Sequence, residues 1–316
     1  MLSYNVKQIK KFLISLSFLF LFTESTIGQE SLEKDNLIKY SNTLQSLKDT
    51  NAESILTAKE KYYAFFRNND KNAEQGFRMF REFYNKVIYA INEKSFIKIS
   101  NVIFEEPEFH RVLTGTFDNP LSGFEKLNKI AKDRIKKKYS NQLKDITKYI
   151  KCGIKISGDD VDGYYLDENF DFLIDMTQNY QFDLAEFIRF MKEEVSPIQI
   201  DAGLQISWEE LRKKIIRFET FARKYPNLQE TTKEIEPNLK WFLSIYLAGL
   251  DNSPVFDWES NKLDNELKKS YETFLKENKA SSYYSVIKEL YDIYKKYNFQ
   301  DNGEARKFIY NLNLYE

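Results

Sequence analysis

The residues able to do acid–base, nucleophilic or metal chemistry are scarce in kind and scattered in place. His110 is the sole histidine and Cys152 the sole cysteine of the 316 residues. A zinc site built on several His or Cys ligands is therefore excluded, and so is an internal disulfide. A Ser-His-Asp hydrolase would have to use His110. That residue lies in the charged run Glu105-Glu106-Pro107-Glu108-Phe109-His110-Arg111, which reads as surface, and no G-x-S-x-G turn presents a serine. Neither H-E-x-x-H nor the phosphate-cradling G-x-x-x-x-G-K-[ST] occurs. Cys152 reads as a thiol buried on a helix face.

Serine–lysine spacing occurs at Ser95-Phe-Ile-Lys98, with Tyr139-Ser140-Asn141 resembling the second motif of penicillin-binding enzymes. Ser31-Leu-Glu-Lys34 and Ser285-Val-Ile-Lys288 match the first motif equally well, and no K-T-G is found after them. The spacing is that of a lysine-rich chain and carries no chemistry. Gly203-Leu204-Gln205-Ile206 resembles the G-L-M-Q element of lytic transglycosylases, but no Glu-Ser pair stands shortly upstream. The acidic turn Gly158-Asp159-Asp160-Val161-Asp162-Gly163 places Asp160 and Asp162 at two ligand positions of a calcium-binding EF-hand loop. Positions one and twelve fall on Gly158 and Asn169, so the strongest ligands are missing. No catalytic, cofactor or metal residue is assigned.

The elements that would position any site are helices. Ser207 and Glu210 have the spacing of a capping box, and Trp208, Leu211, Ile215, Phe218 and Ala222 then recur on one face. Tyr225-Pro226-Asn227 stops that helix. Ile235, Leu239, Phe242 and Tyr246 define a second, closed by Gly249. Trp208 is predicted to pack between the two. Upstream, Phe77, Phe80, Phe83 or Tyr84, Val87 and Ile91 form a wide stripe over 72–92, and one long helix is expected from Gly123 to Cys152. Its basic run, Lys126 to Lys138, reads as a solvated face opposite Phe124, Leu127, Ile130, Ile135 and Tyr139. Phe218-Glu-Thr-Phe221 is echoed 53 positions later by Tyr271-Glu-Thr-Phe274. Trp208-x-x-Leu211 and the Phe218-to-Pro226 spacing resemble tetratricopeptide repeats over about forty residues. Arg212, Lys214, Ile215 and Phe221 depart from that pattern, whose period is about 34. The resemblance implies stacked helix pairs and no binding residues.

Composition agrees with helices. With 26 Phe and 21 Tyr the cores are filled by rings, while 10 Gly and 6 Pro are too few for a sandwich or barrel. The fold expected is all-α: stacked antiparallel helix pairs, helical-repeat-like, with one short extended or hairpin segment near 153–166. The N-terminus reads as an export signal over 1–28: Lys7, Lys10 and Lys11, an apolar run Phe12–Phe22, then Thr26-Ile27-Gly28 before Gln29. An N-terminal helical half (29–152), an extended connecting segment (153–168) and a C-terminal helical half (169–316) make up the rest. Nothing later reaches membrane-spanning length. A formal charge of −1 with 30% charged residues argues against nucleic acid.

The function expected is that of an exported, periplasmic or extracellular, non-enzymatic binding or scaffolding protein of the bacterial cell envelope with a protein partner and no cofactor. The alternative is a carboxylate-dependent hydrolase of cell-wall glycan or polysaccharide, which needs only two acidic side chains.

Overall fold

Backbone polar groups that leave water must be paired, and in this chain helices do almost all of that pairing. The computed structural model describes residues 35–66, 70–96, 98–100, 129–159, 163–194, 196 and 198–314. It is mostly α-helical, with closely packed helix pairs and only short antiparallel strand pairs. The signal read at 1–28 and the residues Phe124, Leu127 and His110 lie outside the described residues. The chain divides into two compact units, Met1–Ala185 and Glu186–Glu316.

The first unit begins with helix α1 (35–46), then α2 (Glu53–Phe66) and α3 (Asp70–Ile91), which runs on through one π-helical turn, Asn92–Phe96. Its core joins the expected stripe of α3 to rings from α1 and α2. Tyr40, Tyr62, Phe66, Phe77, Phe80 and Tyr84 are all fully buried, with Phe80 stacked on Tyr84 at 5.9 Å. Leaving a buried phenol unpaired is costly, and three of these are paired. Tyr40 Oη donates to the Ala58 carbonyl at 3.1 Å, Tyr62 Oη to that of Ala73 at 3.2 Å and Tyr84 Oη to that of Gly153 at 2.6 Å.

The predicted helix 123–152 is two helices, α4 (Lys129–Lys138) and α5 (Ser140–Lys151). Tyr139 breaks them at φ −127°, ψ 34°. Within α4, Ile130, placed by its spacing on the apolar stripe, is 82% exposed while Ile135 is buried; five residues at 3.6 per turn set the two about 140° apart around one helix.

Gly153 leads into a β-hairpin of β1 (Ile154–Asp159) and β2 (Gly163–Glu168). Gly153 has φ +82°, and a Cβ there would stand 2.3 Å from the Phe172 ring, so only glycine fits. The hairpin is pinned to α3. Arg81 gives Glu168 two parallel bonds of 2.7 and 2.8 Å, and the Asn92 amide pairs with both backbone groups of Leu166 at 2.8 Å. The expected extended segment is thus part of the first unit. Helix α6 (Phe170–Thr177) closes the unit, capped by the Asn169 side chain. Helix α7 (Asp183–Glu194) contains the division between units.

The second unit alternates helix pairs with miniature hairpins. Strands β3 (Gln199–Ile200) and β4 (Gly203–Leu204) precede α8 (Trp208–Lys224). A π turn, Thr231–Ile235, then opens α9 (Glu236–Ala248). Strands β5 (Gly249–Leu250) and β6 (Ser253–Pro254) precede α10 (Asn265–Glu277), α11 (Tyr284–Lys296) and α12 (Gly303–Asn311). The capping box of Ser207 and Glu210 is present as its spacing predicts. Gly249 closes α9 with φ 78° but passes straight into β5 instead of a left-handed cap. The first miniature hairpin is turned by Asp201 and Ala202, both at positive φ.

The two hairpins repeat at a spacing of 50. Ile200-Asp201-Ala202-Gly203 and Ile206-Ser207-Trp208-Glu209 correspond to Leu250-Asp251-Asn252-Ser253 and Phe256-Asp257-Trp258-Glu259. They also touch. Asn252 N donates to the Ala202 carbonyl at 2.9 Å, Asn252 Nδ2 to that of Asp201 at 2.5 Å, and Leu204 N to Ser253 Oγ at 2.9 Å.

Candidate aromatic pocket of the second unit

A hairpin two residues wide cannot cover the helix ends behind it, and a pocket of about 700 Å³ opens beside the second one. This is within the size range of small-ligand sites. Leu250, Pro254 and Val255 contribute one side. The loop from Phe256 to Asn261 contributes another. Tyr294 of α11 and Ala305, Ile309 and Tyr310 of α12 complete it.

The loop is held by its own backbone. Asp257 N donates to the Lys262 carbonyl at 2.8 Å and Asn261 N to that of Asp257 at 3.0 Å. Leu263 N reaches the Phe299 carbonyl at 2.7 Å, and Asp301 N reaches that of Asn261 at 3.0 Å. These bonds fix the loop against the segment joining α11 to α12. Trp258, on the loop, is 80% exposed, and Tyr310, on α12, is 81% exposed. Large rings elsewhere in this unit are mostly buried, including Trp208, Phe218, Phe242, Tyr246, Tyr271 and Phe274.

The polar groups of the pocket differ in how far they are engaged. Asp257 Oδ1 accepts from Ser260 Oγ at 2.7 Å and from Ser260 N at 2.8 Å. Those bonds hold its carboxyl below the usual aspartate range. Asp301 pairs through Oδ2 with Arg306, while its buried Oδ1 has no hydrogen-bond partner. Tyr294 is fully buried, its ring meeting Phe256 edge-on at 5.6 Å, and its Oη is likewise without a partner. Burial first, and the nearby Asp301 charge second, push the Tyr294 phenol well above its ordinary value, so it stays neutral. Asp251 is exposed at the hairpin turn and makes no ion pair among the described residues.

Other buried charge in this unit is committed to structure. Glu194 accepts from Lys214 Nζ at 2.9 Å, from Arg217 Nη2 at 2.9 Å and from Arg217 Nε. Burial alone would raise its carboxyl, but those bonds outweigh burial and hold it below the ordinary glutamate range. Glu219 accepts from Ser281 Oγ at 2.7 Å and Ser282 N at 2.6 Å, tying α8 to the turn before α11.

The residues whose types and spacing suggest chemistry do not assemble into a site. Ser95 spends its hydroxyl on the Ile91 carbonyl at 3.1 Å. Cys152 is buried, and burial raises its thiol. Gly203 and Leu204 form β4. Asp160 and Asp162 lie outside the described residues. Among the described residues no group of three His, Cys, Asp or Glu side chains could hold a metal ion, and no helix is long and apolar enough to cross a membrane. Helical periodicity misses Trp258. Its signal is the Trp-Glu pair recurring at a spacing of 50.

In comparisons with known proteins the chain matches no family model, no curated protein and no solved structure.

Proposed function

We propose that this chain is an exported, non-enzymatic binding or scaffolding protein of the bacterial cell envelope, which engages a protein partner through the aromatic pocket of its second unit. The observation that carries the reading is the pair of exposed rings, Trp258 and Tyr310, flanking a cavity of about 700 Å³. Exposed aromatic surface beside a preformed concavity marks an interaction site far more often than a scattered apolar residue does.

The hydrolase alternative needs one carboxyl kept protonated as a general acid beside a second that stays ionised. Asp257 and Glu194 are both held below their ordinary ranges by donors, which disfavours them as proton donors. Neither supports the hydrolase.

The test is photocross-linking in the native host. A photoreactive amino acid is placed at position 258 or 310, and a control is placed at exposed Ile130. Recovery of the same protein from both pocket positions, and not from the control, is expected. Release of reducing sugar from cell-wall glycan by the purified chain, with no protein recovered, would replace this reading by the alternative.

A further inference from the structure

We infer that the pocket takes a cationic group on an apolar stem, an arginine or lysine side chain of a partner polypeptide, with Arg306 as the group that holds its place. The inference rests on the binding reading proposed for this pocket and adds the chemistry of what is bound.

Charge decides the class. Three carboxylates line the pocket, those of Asp251, Asp257 and Asp301, against one guanidinium, that of Arg306. An anionic ligand would meet net repulsion there, and a cation net attraction. The rings select in the same direction. A guanidinium or ammonium is drawn to the face of Trp or Tyr within about 6 Å of its centroid, and Trp is the stronger partner. Trp258 and Tyr310 both offer exposed rings at this pocket. The apolar side made by Leu250, Pro254 and Val255 suits the methylene stem.

Two of the lining residues carry unpaired acceptors. Asp301 Oδ1 and Tyr294 Oη are buried without partners, and both can accept from a cationic donor. Asp301 is already bound on its other oxygen by Arg306, whose side chain is 73% exposed. An exposed guanidinium on a partly buried carboxylate is what an incoming one would have to displace. Arg306 is therefore a competitor for the site, and its removal should strengthen binding.

That sign supplies the test. The full chain is titrated with the capped tripeptide acetyl-Leu-Arg-Leu-amide, with its glutamate counterpart acetyl-Leu-Glu-Leu-amide, and with the neutral disaccharide cellobiose, each by calorimetry at low and high salt. Saturable binding of the arginine peptide alone is expected, weakened by salt because the contacts are partly exposed charges. Trp258→Ala and Asp251→Asn should each weaken it about three- to tenfold, the range of one cation–π contact or one exposed charge at such a site. Arg306→Gln should tighten it. Preference for the glutamate peptide, or weaker binding in Arg306→Gln, would overturn the cation and point to an anion. Binding of cellobiose in place of either peptide would overturn it in favour of a saccharide. Failure of all three probes to bind would also overturn it. If the cross-linked partner is still recovered from position 258 when Asp251→Asn alone and Arg306→Gln alone each leave its capture unchanged, the partner reading stands and the cation reading falls.

Discussion

Trp208 and Trp258 hold the same place in two copies of one motif, and one is buried while the other is 80% exposed. In both copies the residue before the tryptophan caps a turn. Ser207 Oγ accepts from Glu210 N at 3.2 Å, and Asp257 Oδ1 accepts from Ser260 N at 2.8 Å. After the first cap the helix continues for 17 residues. After the second it fails, because Asn261 turns left-handed at φ 55° and the chain restarts at a new cap, Asp264. The echo between Phe218-Glu-Thr-Phe221 and Tyr271-Glu-Thr-Phe274 is spaced by 53 while the tryptophans are spaced by 50, so three residues have been added between them. A cap alone does not make a helix, and the residues downstream of a tryptophan decide whether it is core or surface.

The contrast is broken most severely at the buried ring. Trp208→Ala should cost about 3–5 kcal/mol, as aromatic truncations in cores do. Urea unfolding of the variant at nearly the parental midpoint would show that the two tryptophans are not different in kind.

Next comes the anchor of the first copy. Lys214 and Arg217 of α8 meet buried Glu194, whereas the positions 53 later are Leu267 and Ser270, so the second copy has no such charge. Glu194→Ala leaves Lys214 buried and uncompensated, a loss of about 3–5 kcal/mol. Because the folded carboxyl is held below its unfolded value, its contribution is complete above the unfolded value and is lost as pH falls through the folded one. Thermal stability of the parent should therefore drop in acid below about pH 4.3, by more than that of Glu194→Gln. Parallel pH profiles of the two proteins would show that the carboxylate is no anchor.

The hairpins should respond unequally as well. Gly249 sits at φ 78°, with the Ser253 carbonyl and Val255 N each 2.9 Å from any added Cβ. Its counterpart in the first copy is Gln199. Gly249→Ala should cost about 1–3 kcal/mol through backbone strain, and Gln199→Ala about 0.5 or less. Equal small effects in denaturation would show that the second hairpin relaxes freely. The smallest effect is expected at Trp258→Ala, within about 0.5 kcal/mol of the parent, with its consequence confined to binding.

Helix periodicity makes most of the fold legible in the residues alone. The stripe of α3, the capping box of α8, the stop at Tyr225-Pro226 and the hairpin after Gly153 are all written in residue spacing. The parts that escape it do so for physical reasons. A strand of two residues has no alternation to read, and the turn at Asp201-Ala202 puts an alanine at positive φ, where glycine or asparagine would have announced it. Ile130 departs from its expected side because it stands five residues before buried Ile135 on the same helix, about 140° around it at 3.6 residues per turn. The pocket is illegible for a different cause. It is assembled from one hairpin, one loop and two helices spread over 248–310, and no local pattern encodes their meeting.

The phenols that fill both cores have a consequence at the alkaline end. Tyr40, Tyr62, Tyr84, Tyr246, Tyr271 and Tyr294 are all raised by burial above the ordinary phenol value. In the unfolded chain each releases its proton near pH 10, while the native chain keeps them. Hydroxide thus acts as a denaturant with several sites. Their contribution to stability is level below about pH 10 and falls steeply above it, so the tyrosinate absorbance of these six should appear in a cooperative step that coincides with loss of helix.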